Sequence, residues 1–229
     1  MRYHLVRPAP VRSPAMTSEP RRQVEHPAET IDAAAAVRDL IARLRVADAP
    51  PEVLAEAAAL TRRASTLLEP HAVHDEKPGQ SHLRTVPFAG AFGVRDPAEF
   101  FPYSSVVGPL NPVAPPIALD FDGTTVRGTV TLGEVYAGPP GAVHGGIIAL
   151  IFDELLGVAN VLSGVGAFTG TLSIRYERFT PLREELAVAA HVDRTEGKKV
   201  FTVGTISAGG TVTARAEGIF IQVGLDRLQ

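Results

Sequence analysis

The run Gly138-Pro139-Pro140-Gly141-Ala142-Val143-His144-Gly145-Gly146 leads straight into the apolar stretch Ile147–Phe152 and then Asp153-Glu154. Two glycines at the opening of a helix cost about 1 kcal/mol each against alanine. Two readings account for them. In one, they let the chain turn or approach a neighbouring element closely. In the other, a ligand lies against bare backbone N–H groups. A helix N-terminus offers free N–H donors and the positive end of the dipole. Both suit a carbonyl oxygen that is gaining negative charge, the logic of an oxyanion hole. The local residues leave the two readings open.

Asp153 favours the second. It lies two turns into the most apolar helix of the chain, where an unpaired buried carboxylate is expensive. A neighbouring hydroxyl or amide could satisfy it. As a functional group it would be a general base or a nucleophile beside the oxyanion donors. Glu154 competes, but is rotated by about 100° around the helix, so the two carboxylates cannot share one pocket equally. Gly145 and Asp153 are eight residues apart, about 12 Å of helical rise. Both would have to come within roughly 3 Å of one reacting centre. One chain does that poorly. Two antiparallel copies of the helix across a two-fold axis do it well, so the chemistry predicts a dimer with two equivalent sites.

The elements that must position these groups follow from the periodicity. Residues 1–28 have charged and turn-forming composition without an apolar period, and read as a disordered tail. The Arg-rich start lacks the apolar run of a secretory signal, and its prolines spoil the amphipathic helix of a transit peptide. Met16 offers an alternative start. Residues 29–69 read as a helical hairpin, with Val37, Leu40, Ile41 and Leu44 on one stripe and Val53, Ala57, Leu60, Ala64 and Leu67 on the next. Asp48-Ala49-Pro50-Pro51 separates them. The hairpin is too small to hold its own core. It could cover a ligand pocket as a lid or pack on the outer face of a sheet, the second being preferred. Residues 70–103 read as a connector, and prolines through Pro116 oppose regular structure. His71, His74 and His82 within it read as solvated side chains, not as a metal site.

Residues 104–229 read as strands around one long helix, in the order β-β-α-β-β-β-β. Ile117–Phe121 and Val126–Leu132 flank Asp122-Gly123, a hairpin turn. Asp120 and Asp122 could suggest an acidic site, and turn capping by Asp122 is the commoner reason for that pair. The helix spans about 145–163. Strands follow at 168–179, 186–193, 199–207 and 212–223, with Leu172, Ile174 and Tyr176 alternating against Ser173, Arg175 and Glu177. Glu196-Gly197 and Gly209-Gly210 supply tight turns. Hairpin connections imply an antiparallel sheet, and a helix apolar nearly all round must be wrapped by it. The class is α+β.

Composition narrows the function. The 229 residues carry a formal net charge of −3, with 45% apolar and 21% charged residues. No face is obviously basic, so nucleic acid is not an expected partner. There is no cysteine, which excludes disulfides, Cys-bound zinc and a thiol nucleophile and fits a reducing, cytoplasmic compartment. The richest apolar run, 145–162, is interrupted by Asp153 and Glu154, so no membrane span is expected. No G-x-S-x-G elbow, P-loop or dinucleotide fingerprint is present.

His144-Gly145-Gly146, six residues, Asp153, then Thr169, then Tyr176-Glu177-Arg178-Phe179-Thr180-Pro181-Leu182 resembles the hotdog-fold acyl-CoA thioesterases of the phenylacetate-degradation (PaaI-like) type. The match runs from about Ser104 to Val223, roughly half the chain. His-Gly-Gly alone is a weak signal; the ordered set on the matching elements is a strong one. The resemblance implies a curved antiparallel sheet around one central helix, paired as a homodimer and often as a homotetramer. It implies hydrolysis of acyl-CoA to a free acid and CoA, with CoA as part of the substrate and neither cofactor nor metal. By that analogy Gly145, and with it Gly146, forms the oxyanion hole and His144 shapes the turn. Asp153 activates water or attacks the thioester, and Thr169 holds Asp153 or the water. Coenzyme A phosphates call for cations, and Arg178, Arg194, Lys198 and Lys199 are the candidates; lysines after a hairpin turn are also ordinary surface.

Two departures stand out. Some relatives carry an Asn or Gln before the His, where this chain has Ala137-Gly138-Pro139-Pro140. Others place Pro directly after the Arg position, where this chain has Phe179-Thr180-Pro181. Two further readings remain at this point. One is a hotdog hydratase or dehydratase, which would need a well-placed His, with His144 the only candidate. The other is a non-catalytic acyl-CoA-binding module, against which the intact Asp153 and Thr169 speak.

Overall fold

A computed structural model describes residues 28–72 and 97–222. The expected tail at 1–28 falls outside them except for Ala28, as do His74 and His82 of the connector. The described core is a six-stranded antiparallel sheet around one helix, the expected hotdog architecture. The strands are β1 (Ala118–Phe121), β2 (Thr125–Thr131), β3 (Ala167–Tyr176), β4 (Glu185–Glu196), β5 (Lys199–Ala208) and β6 (Thr211–Gln222). Their spatial order is β1-β2-β4-β5-β6-β3, so β3 is an edge. The β1–β2 turn is closed by Asp122, whose carboxylate accepts from the N–H groups of Thr124 and Thr125 and from the Thr124 hydroxyl. Asp122 is therefore a turn cap, and these bonds hold its carboxyl well below the usual carboxylate range.

The central helix α4 (Gly145–Leu162, numbered after the N-terminal helices below) lies in the concave face of the sheet. Ile151, Phe152, Leu155, Leu156 and Val158 are fully buried and meet Val126, Leu186, Ile206 and Phe220 from the strands. By length and composition α4 is apolar enough to cross a bilayer, but more than half of it is buried as the core of this fold. The wrapping is incomplete. Gly146, Leu150 and Asp153, at i, i+4 and i+7, form one exposed seam along the helix. Asp153 is thus not the buried carboxylate that the apolar surroundings suggest.

The segment from 97 to 110, which begins in the connector and runs into the following domain, is more than a linker. It contains one helical turn, α3 (Pro97–Phe100), and then supplies Phe101, Val106, Val107 and Leu110 to the core. Ser104 anchors it. Its hydroxyl accepts from the N–H groups of Val106 and Val107 and donates to Glu154 on α4. Glu154 therefore belongs to the scaffold and faces away from the Asp153 seam.

The two N-terminal helices form where the periodicity places them, α1 at Ala28–Val46 and α2 at Pro51–Leu68. They depart from expectation in how they pack. They do not run alongside one another as a tight hairpin, and α2 buries no residue. Nor does α1 lie on the outer sheet face. It rests on the turn Glu134–Tyr136 and on the Pro-rich segment around 111–114. The face it turns inward carries Ala34 and Arg38, and the Arg38 guanidinium donates to the carbonyls of Ala114 (2.8 Å) and Asn111 (3.0 Å). The stripe Val37, Leu40 and Leu44 stays exposed. Small alanines allow a closer approach to a proline-rich backbone than the bulky stripe would, and the guanidinium gives the Ala114 carbonyl a donor and adds a second one to Asn111 O, which also accepts from Ala114 N–H.

Candidate active site

The turn before α4 is built by three backbone tethers. Val143 N–H donates to Thr180 O at 2.8 Å, Leu182 N–H to Gly141 O at 3.0 Å, and His144 N–H to Tyr136 O at 2.9 Å. The Thr180-Pro181-Leu182 end of the strand motif therefore clamps the loop that aims the helix. Gly138 passes so close to His144 that an added Cβ would lie 2.7 Å from His144 Cα, so only glycine fits there.

His144 is the N-cap of α4, and its Nδ1 accepts from Gly146 N–H at 2.9 Å. This requires a neutral imidazole with Nδ1 unprotonated. The contact corrects the pairing of Gly145 with Gly146: the Gly146 donor is already used. Gly145 N–H has no partner among the described residues and is the free donor at the helix start. Its carbonyl is held from the strand, since the Tyr176 hydroxyl donates to Gly145 O at 2.9 Å. Tyr176 stood in the strand motif without a role. Its even spacing from Leu172 and Ile174 is the signal that places it on the inner face.

At the other end of the seam, the Thr169 hydroxyl donates to Asp153 Oδ1 at 2.9 Å. Strict alternation through Leu172 and Ile174 would turn Thr169 outward. A β-bulge between Thr169 and Thr171 adds one residue, Gly170, so that Thr169 pairs with the buried Phe220 and faces α4. Gly170 is a site residue that the motif does not reveal, although the parity mismatch between 169 and 172 does.

The candidate cations divide between the two ends. Arg178 follows Tyr176 near the helix start, its N–H bonded to Thr213 O. Lys198 lies in the β4–β5 turn and Lys199 opens β5. Lys199 pairs with Ile221, which pairs with Phe168 beside Thr169, so this turn belongs to the Asp153 end. Arg194 is already engaged, bonded to Asp193 (2.8 Å) and Glu196 (2.7 Å) and stacked on Phe201. Those carboxylates hold its guanidinium above its ordinary value. Among the described residues, no group of three or more acidic or histidine side chains is placed to hold a metal.

The helix thus carries an unpaired amide donor at its start, with Arg178 near it, and a hydroxyl-bonded carboxylate two turns on, with the β4–β5 turn at that end. No protein-family model matches the chain. It is 31% identical over 96 residues to human acyl-coenzyme A thioesterase THEM5, covering 41% of this chain and 39% of that protein. It is 36% identical over 89 residues to mouse acyl-coenzyme A thioesterase THEM4, covering 39% of this chain and 38% of that protein. The chain so matches about two fifths of the length of these curated relatives. A crystal structure of a thioesterase superfamily protein superposes with a TM-score of 0.72 at 34% identity, covering 86% of this chain and 92% of that one. With near-complete coverage, that identity and the helix-in-sheet architecture make this chain a member of the hotdog-fold thioesterase superfamily.

Proposed function

We propose that the chain hydrolyses acyl-CoA thioesters at a site shared between two copies. The observation that carries this reading is the split of the machinery along one helix: a free Gly145 N–H at its start and the Thr169-bonded Asp153 two turns on. The thioester carbonyl accepts from Gly145 N–H of one copy, where the helix dipole favours its developing charge. Asp153 of the partner subunit removes a proton from water as the water attacks the carbonyl carbon, or attacks it directly. The C–S bond then breaks and CoA leaves as the thiol once protonated; water attack gives the free acid at once, and direct attack leaves an acyl anhydride on the carboxylate that water hydrolyses to the acid and the regenerated carboxylate. Arg178, Lys198 and Lys199 are the cations available to the CoA phosphates.

The edge strand suggests how the copies meet. β3 is ten residues long with one side unpaired, a surface that proteins normally cover. Antiparallel pairing with Leu172 opposite the partner's Ile174 aligns inner face with inner face. It then sets the partner's Tyr176, and the Gly145 it holds, against the Thr169–Gly170 bulge. The small seam residues Gly146 and Gly157 allow the two α4 helices to approach. Thiol release from acyl-CoA thioesters, compared between the parent and Asp153→Asn, tests the reading. Release by the parent and its loss in the variant are expected; equal rates in both would reject it.

A further inference from the structure

A cavity of about 460 Å³ lies between α1, the Pro-rich segment and the first turns of α4. This is within the roughly 300–1,000 Å³ span of small-molecule sites. Its wall is mainly apolar, with Ile41 and Ala42 from α1, Val113 and Pro116 from the Pro-rich segment, and Ile147 and Leu150 from α4. We propose that this chamber receives the acyl chain of the substrate and that α1 forms its wall, an inference that rests on the hydrolase reading.

Three observations carry it. Leu150 lines the chamber and also sits on the exposed seam, one turn from Gly146 and one from Asp153. Leu150 thus stands between the chamber and the seam that carries Asp153, so the two are neighbours. Tyr136, another wall residue, accepts from His144 N–H, so the same turn that aims Gly145 also bounds the chamber. The charged groups at the wall are committed. Arg38 is spent on two carbonyls, Asp39 pairs with Arg43, and Glu134 pairs with Arg183. Arg38 is the one cation among the described lining residues, and the largely apolar remainder suits a hydrocarbon chain. Each methylene entering such a site is worth about fourfold in kcat/KM. The occupant is a medium-to-long alkyl chain.

Ala35 and Ala42 point from α1 into the chamber, so Ala42→Phe fills it without touching the seam, and Ala35→Phe is a second filling variant should the first fold poorly. The experiment measures the ratio of kcat/KM for dodecanoyl-CoA to that for butyryl-CoA, and laurate binding by calorimetry. A fall of about tenfold or more in the ratio, with weakened laurate binding, is expected in both variants, since a phenyl ring excludes several methylenes. An unchanged ratio and unchanged laurate affinity would overturn the chamber assignment. Laurate bound by the parent and lost in the variants, with no thiol released from any acyl-CoA, would uphold the chamber and reject the hydrolase reading alone.

Discussion

The Thr169 hydroxyl reaches Asp153 at 2.9 Å because one residue, Gly170, is extra in the strand between Thr169 and Leu172. The bulge shifts Thr169 to the inner face, where Phe220 is its cross-strand neighbour, and the hydroxyl then meets a carboxylate on the uncovered seam of α4. The strand end and the helix are thereby coupled through a single donor.

Replacing Asp153 by Asn keeps the Thr169 contact and removes the proton acceptor. We expect kcat to fall by about 10²–10⁴, the usual span for loss of a general base, with a thermal midpoint close to the parent's because the side chain is exposed. Thr169→Val leaves the carboxylate in place and removes one donor, so a loss of about tenfold or less is expected. Steady-state kinetics alongside thermal unfolding check both.

Gly170→Val should act through Thr169. A Cβ at Gly170 would lie 3.2 Å from Ile219 O and from Ile221 Cγ1, and valine favours a regular strand. Regular pairing turns Thr169 outward. The expected result is an activity loss of the same size as in Thr169→Val, and a double variant no worse than either single one. Additive losses in the double-mutant cycle would separate the two residues.

The Gly145 donor can be deleted without removing the helix. It is the first helical residue, where proline is favoured, and His144 before it is extended at φ −62°, ψ 133°, a conformation proline tolerates in its predecessor. An added Cβ meets only the Tyr176 ring at 3.6 Å, ordinary contact. Gly145→Pro should therefore lower kcat by about 10²–10³ with little change in unfolding midpoint. Gly145→Ala retains the N–H and should stay much closer to the parent. Similar kinetics in the two variants would argue against the amide as the donor.

Asp122 governs acid stability at the β1–β2 turn. Its carboxyl is held low by the N–H groups of Thr125 and Thr124. A depressed folded value means that the stabilisation is full above the unfolded value of about 3.9 and is lost as the pH falls below it. Asp122→Asn does not titrate, so the stability gap between parent and variant should narrow as the pH drops from about 5 toward 2. Denaturant unfolding across that range measures it.

Much of this was legible in the residues themselves. Strand-like apolar runs and turn dipeptides located all six strands, and the alternation of Leu172, Ile174 and Tyr176 gave the faces of β3. Gly145, His144 and Asp153 stood out because glycines and an acid contradict an apolar helix. What escaped were features set by tertiary contact. The inward face of α1 is chosen by the carbonyls of Asn111 and Ala114 that Arg38 meets, and no helical period encodes those. Gly146 looked equivalent to Gly145 until the His144 ring claimed its N–H. Asp153 looked buried because its neighbours are apolar, whereas the sheet leaves its stripe of the helix uncovered.

On the proposed shared site, activity depends on association, and β3 provides a way to weaken association without touching Gly145 or Asp153. In the proposed pairing of Leu172 opposite the partner's Ile174, Ser173 would lie on the two-fold axis opposite itself. Ser173 is exposed and faces away from α4, so a substitution there leaves the core intact. Ser173→Asp would set two carboxylates directly opposite each other, which destabilises a strand pair by roughly 0.2–1 kcal/mol or more. Sedimentation should show a dimer for the parent and a dissociating species for Ser173→Asp. The specific activity of the variant should fall on dilution and recover at high protein concentration or high salt, which screens the repulsion. A misfolded variant would show no such recovery. A parent that is monomeric at assay concentration and fully active would end the shared-site geometry, because one chain cannot bring its own Gly145 and Asp153, about 12 Å apart along one helix, to a single carbonyl.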